Sequence, residues 1–122
     1  MQQIPINEIA KAVYKNATYK DFNDNCENES VLLARFCNRL QNTINGIKES
    51  WEEEELHSIS DKSEDMVSND IEPLTNIDDM LSDVIIHALD ICLRLKIDPQ
   101  DIIMRKHMYN IIRPCGLCGK RM

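Results

Sequence analysis

Aromatic residues are scarce in this chain: one Trp, three Tyr and two Phe among 122 residues. A core must therefore be assembled from Ile, Leu, Val and Met. Glycine is scarcer than usual, at three residues. So few turn-formers argue against an all-β fold, which needs turn signals about every 8–12 residues. No apolar run approaches the ~18 residues of a helical membrane span. The start, Met1-Gln2-Gln3-Ile4-Pro5, lacks the apolar stretch of a secretory signal. A cytoplasmic protein with no membrane partner is expected.

Two absences concern charge. Between Glu29 and Glu49 there is no Asp or Glu, and after Asp101 there is none either. The acids gather in the middle instead. From Glu49 to Asp79 there are twelve acids and one base, Lys62. Arg105, Lys106, Arg113, Lys120 and Arg121 make the far end basic. The net charge of −7 argues against nucleic acid as a partner, because that function needs a basic face. Five cysteines, Cys26, Cys37, Cys92, Cys115 and Cys118, is an odd count; in a reducing compartment they read as free thiols unless a metal claims some.

The length suits a single domain over residues 1–122. Ile6, Ile9, Ala10, Val13, Tyr14 and Ala17 recur at helical spacing and mark a first helix over 6–20. Val31, Leu32, Leu33, Phe36, Cys37, Leu40, Ile44 and Ile47 mark a second over 29–49. Its other face carries Arg35, Asn38, Arg39, Gln41, Asn42 and Asn45. Residues 50–76 show no sustained period; Trp51 to Leu56 are open to extending the second helix, and the rest reads as a mobile acidic connection. Ile77, Leu81, Val84, Ile85, Ala88, Leu89, Cys92 and Leu95 define a third helix over 77–96, apolar round much of its circumference and therefore central. Asp98-Pro99 supplies a cap and a first helical residue for a fourth helix over 99–112, expected to pack antiparallel to the third. A basic tail, 113–122, follows. The expected fold is all-α, a four-helix bundle type completed by oligomerisation.

The stretch from Leu81 to Arg121 resembles the MazG-like nucleotide pyrophosphohydrolases. Leu81-Ser82-Asp83-Val84-Ile85 is similar to the Leu-x-Asp-Val-Ile segment of their central helix, and Leu95-Lys96-Ile97-Asp98 to the Gly-Ile-Asp turn before their last helix. Lys106-His107-Met108-Tyr109-Asn110, Arg113-Pro114 and Gly119-Lys120-Arg121 resemble the Lys-x-x-Tyr-Asn-x-x-Arg-Pro close and Gly-Lys-Arg tail of one branch. Ile6-Asn7-Glu8-Ile9-Ala10 looks like that branch's first helix. The resemblance implies a homodimer or homotetramer that cleaves nucleoside triphosphates between the α- and β-phosphates. It also implies Mg²⁺ as cofactor if the chain is active, held by a Glu-Glu-x-x-Glu helix and a Glu-x-x-Asp helix. Carboxylates three or four apart share a helix face, so two such helices can hold an ion between them.

The chain departs from that pattern twice. Asp83 stands at the Asp position, but Met80 occupies the Glu position, and a thioether does not serve Mg²⁺. Asp79 is a weak substitute, rotated by about 100° on the helix. The second helix, with no acid between Glu29 and Glu49, cannot supply the other set there in any register. Weak or absent hydrolysis is therefore expected, with a nucleotide or a protein bound instead. An active Mg²⁺-dependent enzyme and a helical interaction module with an acidic arm remain the alternatives. Glu52 to Glu55 read as a solvated acidic run rather than a displaced motif.

Lys106, Tyr109, Asn110 and Arg113 are the candidate nucleotide or phosphate contacts; the same cations also suit a helix C-terminus. Asp83 reads either as a former metal ligand or as a buried polar residue, with His87 on its face; Asp90 either faces solvent or pairs with Arg94. Cys115 and Cys118 form a C-x-x-C, read as free thiols or as half of a zinc site shared between subunits or completed by His107. The catalytic residues are left unassigned.

Overall fold

A computed structural model describes residues 4–20 and 28–113. Five helices appear in the order α1 (Ile6–Lys20), α2 (Glu29–Glu52), α3 (Ser63–Ser68), α4 (Asn76–Arg94) and α5 (Pro99–Ile112). No strand occurs among the described residues; Ile59 and Thr75 form a single isolated antiparallel bridge. The all-helical expectation holds. No described helix is long and apolar enough to cross a membrane.

Caps explain where the helices begin. The Asn28 side chain accepts from the Val31 N–H at the start of α2, and the Thr75 hydroxyl accepts from the Asp78 N–H at the start of α4. Asp98 caps α5 by accepting from the Asp101 N–H, with Pro99 in the first turn.

The ends are less usual. Helix α2 closes with the Glu55 N–H donating back to the Ser50 carbonyl, with Glu54 left-handed at φ 59°. Helix α3 closes the same way, Ile71 to Met66, around Asp70 at φ 60°. Helix α4 does so with Ile97 to Cys92, around Lys96 at φ 61°. This six-to-one closure normally recruits glycine at the left-handed position. Here three side-chain-bearing residues occupy it, at some backbone cost.

Helix α4 is the centre. It packs on α2 along one side and on α1 along another. Leu89, Ile91 and, from α1, Ala10 are the buried apolar residues. Gly46 marks the close approach of α2 to α4, since a Cβ there would come within 3.1 Å of the Met80 sulfur.

Two expectations are corrected. The 50–76 stretch is not a featureless connection. Helix α2 runs to Glu52, α3 follows, and backbone bonds fasten the rest: Ser60 N–H to Leu74 O, Asn76 N–H to Ser58 O and Ile77 N–H to Leu56 O. Ser60 is buried. The second correction concerns α5, which was expected to lie along α4. It makes scant contact there, and every residue from Gln100 to Arg113 is exposed. It is clasped only at its start. Asn7 donates to Asp98 at 2.9 Å and accepts from the Gln100 N–H at 3.2 Å. Those bonds hold the α4–α5 turn against α1.

Candidate functional site

The seam between α2 and α4 carries most of the polar chemistry. On α4, residues 76, 79, 80, 83, 87, 90 and 94 recur at three- and four-residue spacing and share one face. Residues 35, 39, 43, 46 and 50 do the same on α2. The two ends of the seam differ in sign.

At one end Leu32, Arg35, Phe36 and Arg39 of α2 meet His87, Asp90, Ile91 and Arg94 of α4 around a cavity of about 20 Å³. That volume suits a single water. Arg94 Nε donates to Asp90 Oδ2 at 2.9 Å, and both side chains are under a tenth exposed. The pairing half of the Asp90 expectation is therefore correct. Its solvent-facing half is not. Asp90 Oδ1 is buried without a hydrogen-bond partner. The Arg94 guanidinium also lies 5.8 Å from the centre of the Tyr14 ring, which brings α1 into the same cluster. Arg35 and Arg39 are half-buried here, whereas Asn38, Gln41, Asn42 and Asn45 are exposed.

At the other end Glu49, Ser50, Glu53, Glu55, Ser58, Asp61, Asn76 and Met80 surround an open basin of about 510 Å³. The acidic run read as solvated does line a concavity, but its carboxylates stay exposed. Among the described residues no three His, Cys, Asp or Glu are placed to hold a metal ion.

Asp79 and Asp83 lie between the ends, both half-buried on α4. Asp79 is already engaged. Lys62 Nζ reaches it at 3.2 Å, and the Ser60 hydroxyl donates to it at 3.3 Å. The hydrogen bond to Asp79 raises the Lys62 pKa above its ordinary value, opposed by a little burial and helped by the charges of Asp79, Asp83 and Asp61. The chain's own ammonium thus stands beside the two α4 carboxylates. Sequence reasoning noticed Lys62 only as the lone base in an acidic stretch. That isolation was the available signal, because a single cation among twelve acids will find a carboxylate.

Lys106, Tyr109, Asn110 and Arg113 are all exposed on or just after α5, with Lys106 Nζ 5.0 Å from the centre of the Tyr109 ring. Since α5 stands off α4, these four are not brought together with Asp79 and Asp83 within one chain. His107 is exposed on the same helix. Cys115 and Cys118 lie outside the described residues, as does Cys26. Cys37 is an exposed free thiol, and Cys92 is a half-buried one whose pKa is pushed up by burial. No family model, curated protein or solved structure matches the chain.

Proposed function

We propose that this chain is a diverged relative of the MazG-like nucleotide pyrophosphohydrolases that binds a phosphate-bearing ligand, a nucleotide first, and hydrolyses it weakly or not at all. One observation carries the reading. Arg35 and Arg39 stand half-buried on the α2 face opposite His87 and Arg94, where such an enzyme needs carboxylates. Three arginines outnumber Asp90 among the lining residues, so the seam favours phosphate oxygens over Mg²⁺. Lys62 supports the same reading, since a divalent ion approaching Asp79 meets an ammonium already paired there. The enclosed cavity holds about one water, so a phosphate enters only as the long arginine side chains swing outward.

Calorimetric titration with ADP, ATP and pyrophosphate, with and without Mg²⁺, tests this. Binding is expected without the metal and is expected to weaken at least about tenfold in Arg39→Ala, the loss of one charge-assisted hydrogen bond. Pyrophosphate release from ATP or dNTPs should stay at background. Turnover with Mg²⁺ that Asp83→Asn abolishes would overturn the proposal and establish the chain as an enzyme.

A second reading, self-association into a homodimer or homotetramer, is favoured by α5. It projects from the body of the molecule with its apolar side chains uncovered. Soluble chains seldom leave such a surface open.

A further inference from the structure

We infer that two copies of this chain exchange α5, each laying the apolar side of its α5 along the open N-terminal half of the other's α4. The inference deepens the self-association reading and is independent of the anion reading.

The first observation is α5 itself. Met104, Met108, Ile111 and Ile112 fall at i, i+4, i+7 and i+8 and make one stripe. Lys106, Asn110 and Arg113 lie on the opposite side. The seven large apolar residues of α5, from Ile102 to Ile112, are 37% to 62% exposed. The four stripe residues are 50% to 62% exposed, while Ile102 and Tyr109 lie on the side of Lys106. An isolated helix of fourteen residues is marginal in water, so it needs a packing surface. Its own subunit does not provide one. Pro99 and the Asn7 clasp direct α5 away from α4.

The second observation is a stripe on α4 that is covered along only half its length. Leu81, Ile85, Leu89 and Cys92 follow one line along the helix. Leu89 is 5% exposed. Leu81 and Ile85, with Ile86 beside them, are 40% to 57% exposed. Helix α1 explains the difference. It starts at the α4–α5 turn through Asn7 and meets Arg94 through Tyr14, so it runs back over the C-terminal half of α4. Among the described residues no third helix covers the N-terminal half.

Charge selects the occupant. Arg105 flanks the apolar stripe of α5, and its 2.9 Å pairing with Asp101 is an exposed one of little energy. The open half of α4 begins with Asp78 and Asp79 and adjoins the acidic basin. This stripe and the acidic apolar groove do not meet within the described subunit, and in a two-fold pair both copies satisfy both.

The test is a photo-crosslinking amino acid placed at Met108 of the full chain. Light scattering of the unlabelled protein is expected to give twice 14.2 kDa at micromolar concentration. Irradiation is expected to give a covalent species of that doubled mass, with the crosslink in the tryptic peptide 63–94, which holds α4. Ile85→Asp and Ile112→Asp should each yield monomers with unchanged helical circular dichroism. Arg105→Glu should weaken the dimer, and Asp78→Lys in the same chain should restore it. A stable wild-type monomer refutes both self-association and the exchange. A dimer whose crosslink maps to another peptide refutes the exchange alone. A crosslink to 63–94 at the mass of a single chain shows α5 folding back on its own subunit and also refutes the exchange.

Discussion

Replacing Asp90 by Ala isolates the buried ion pair that joins α4 to Tyr14 of α1 and to the arginine end of the seam. The Arg94 and Asp90 side chains are 5% and 8% exposed, with Nε to Oδ2 at 2.9 Å. Surface i,i+4 pairs are worth a few tenths of a kcal/mol. This pair is not on the surface, and truncation removes the Asp90 carboxylate from a guanidinium that is itself buried. Removing one partner of a buried pair typically costs about 3–5 kcal/mol. Set against a total stability of about 5–15 kcal/mol, that is a large fraction. For a chain of this length it corresponds to a fall in Tm of roughly 10–20 °C. Thermal and urea unfolding followed by circular dichroism would measure it, with protein concentration held fixed because oligomers couple Tm to concentration. The double variant Asp90→Leu/Arg94→Met should recover most of the loss, since a well-packed apolar substitute often equals a buried ion pair. A cost below about 1 kcal/mol for Asp90→Ala would show that the pair behaves as an exposed one and refute the reasoning.

Leu89→Ala should cost about 2–5 kcal/mol, measured by urea unfolding, because Leu89 is 5% exposed at the α1–α4 contact. Lys96→Gly should instead stabilise, by up to about 1 kcal/mol in the same assay, by relieving the left-handed backbone that closes α4. The Asn7 hydrogen bond, with the Asp101 and Gln100 N–H groups, lowers the Asp98 pKa below the ordinary carboxylate value. A depressed folded-state pKa gives stability that is complete above the unfolded value and lost as pH falls through the folded one. The Tm advantage of wild type over Asp98→Asn should therefore be full above about pH 4 and close below it. Cys37, exposed, should be alkylated by iodoacetamide well before Cys92, whose pKa burial raises; peptide mass mapping at pH 8 reads the order.

The helices were legible because their apolar residues keep strict spacing and their starts carry Asn28, Thr75 and Asp98. Bounds for the first and fourth helices agree with α1 and α5. The sequence leaves the end of the second open between Glu49 and Leu56, and the reason is physical. Its stop is made by Glu54 in a left-handed conformation, and no glycine advertises it. The path of 53–75 was invisible for another reason. It depends on backbone bonds between Ser60 and Leu74 and between Ser58 and Asn76, which no local period encodes. The packing of α5 was misread because the Asp98-Pro99 pair specifies that a helix begins, not where it points. Asn7, some ninety residues away in sequence, decides that. At the seam, the missing acids of the second helix were plain from composition. That Arg35 and Arg39 turn inward while Asn38 and Asn42 turn out depended on which side of α2 meets α4, and only packing determines that.

Lys62 differs from any ion that solvent could deliver. It is covalently attached seventeen residues from Asp79, and the Ser60–Leu74 bond fastens its loop. A group tethered in this way is present at an effective concentration in the millimolar range or above, whatever the composition of the medium. Chelators cannot strip it and dialysis cannot dilute it. Its raised pKa keeps it charged throughout the neutral range. The carboxylate face of α4 is therefore buffered against fluctuations in divalent-ion supply, and an ion seeking Asp79 competes with a resident that never leaves the molecule.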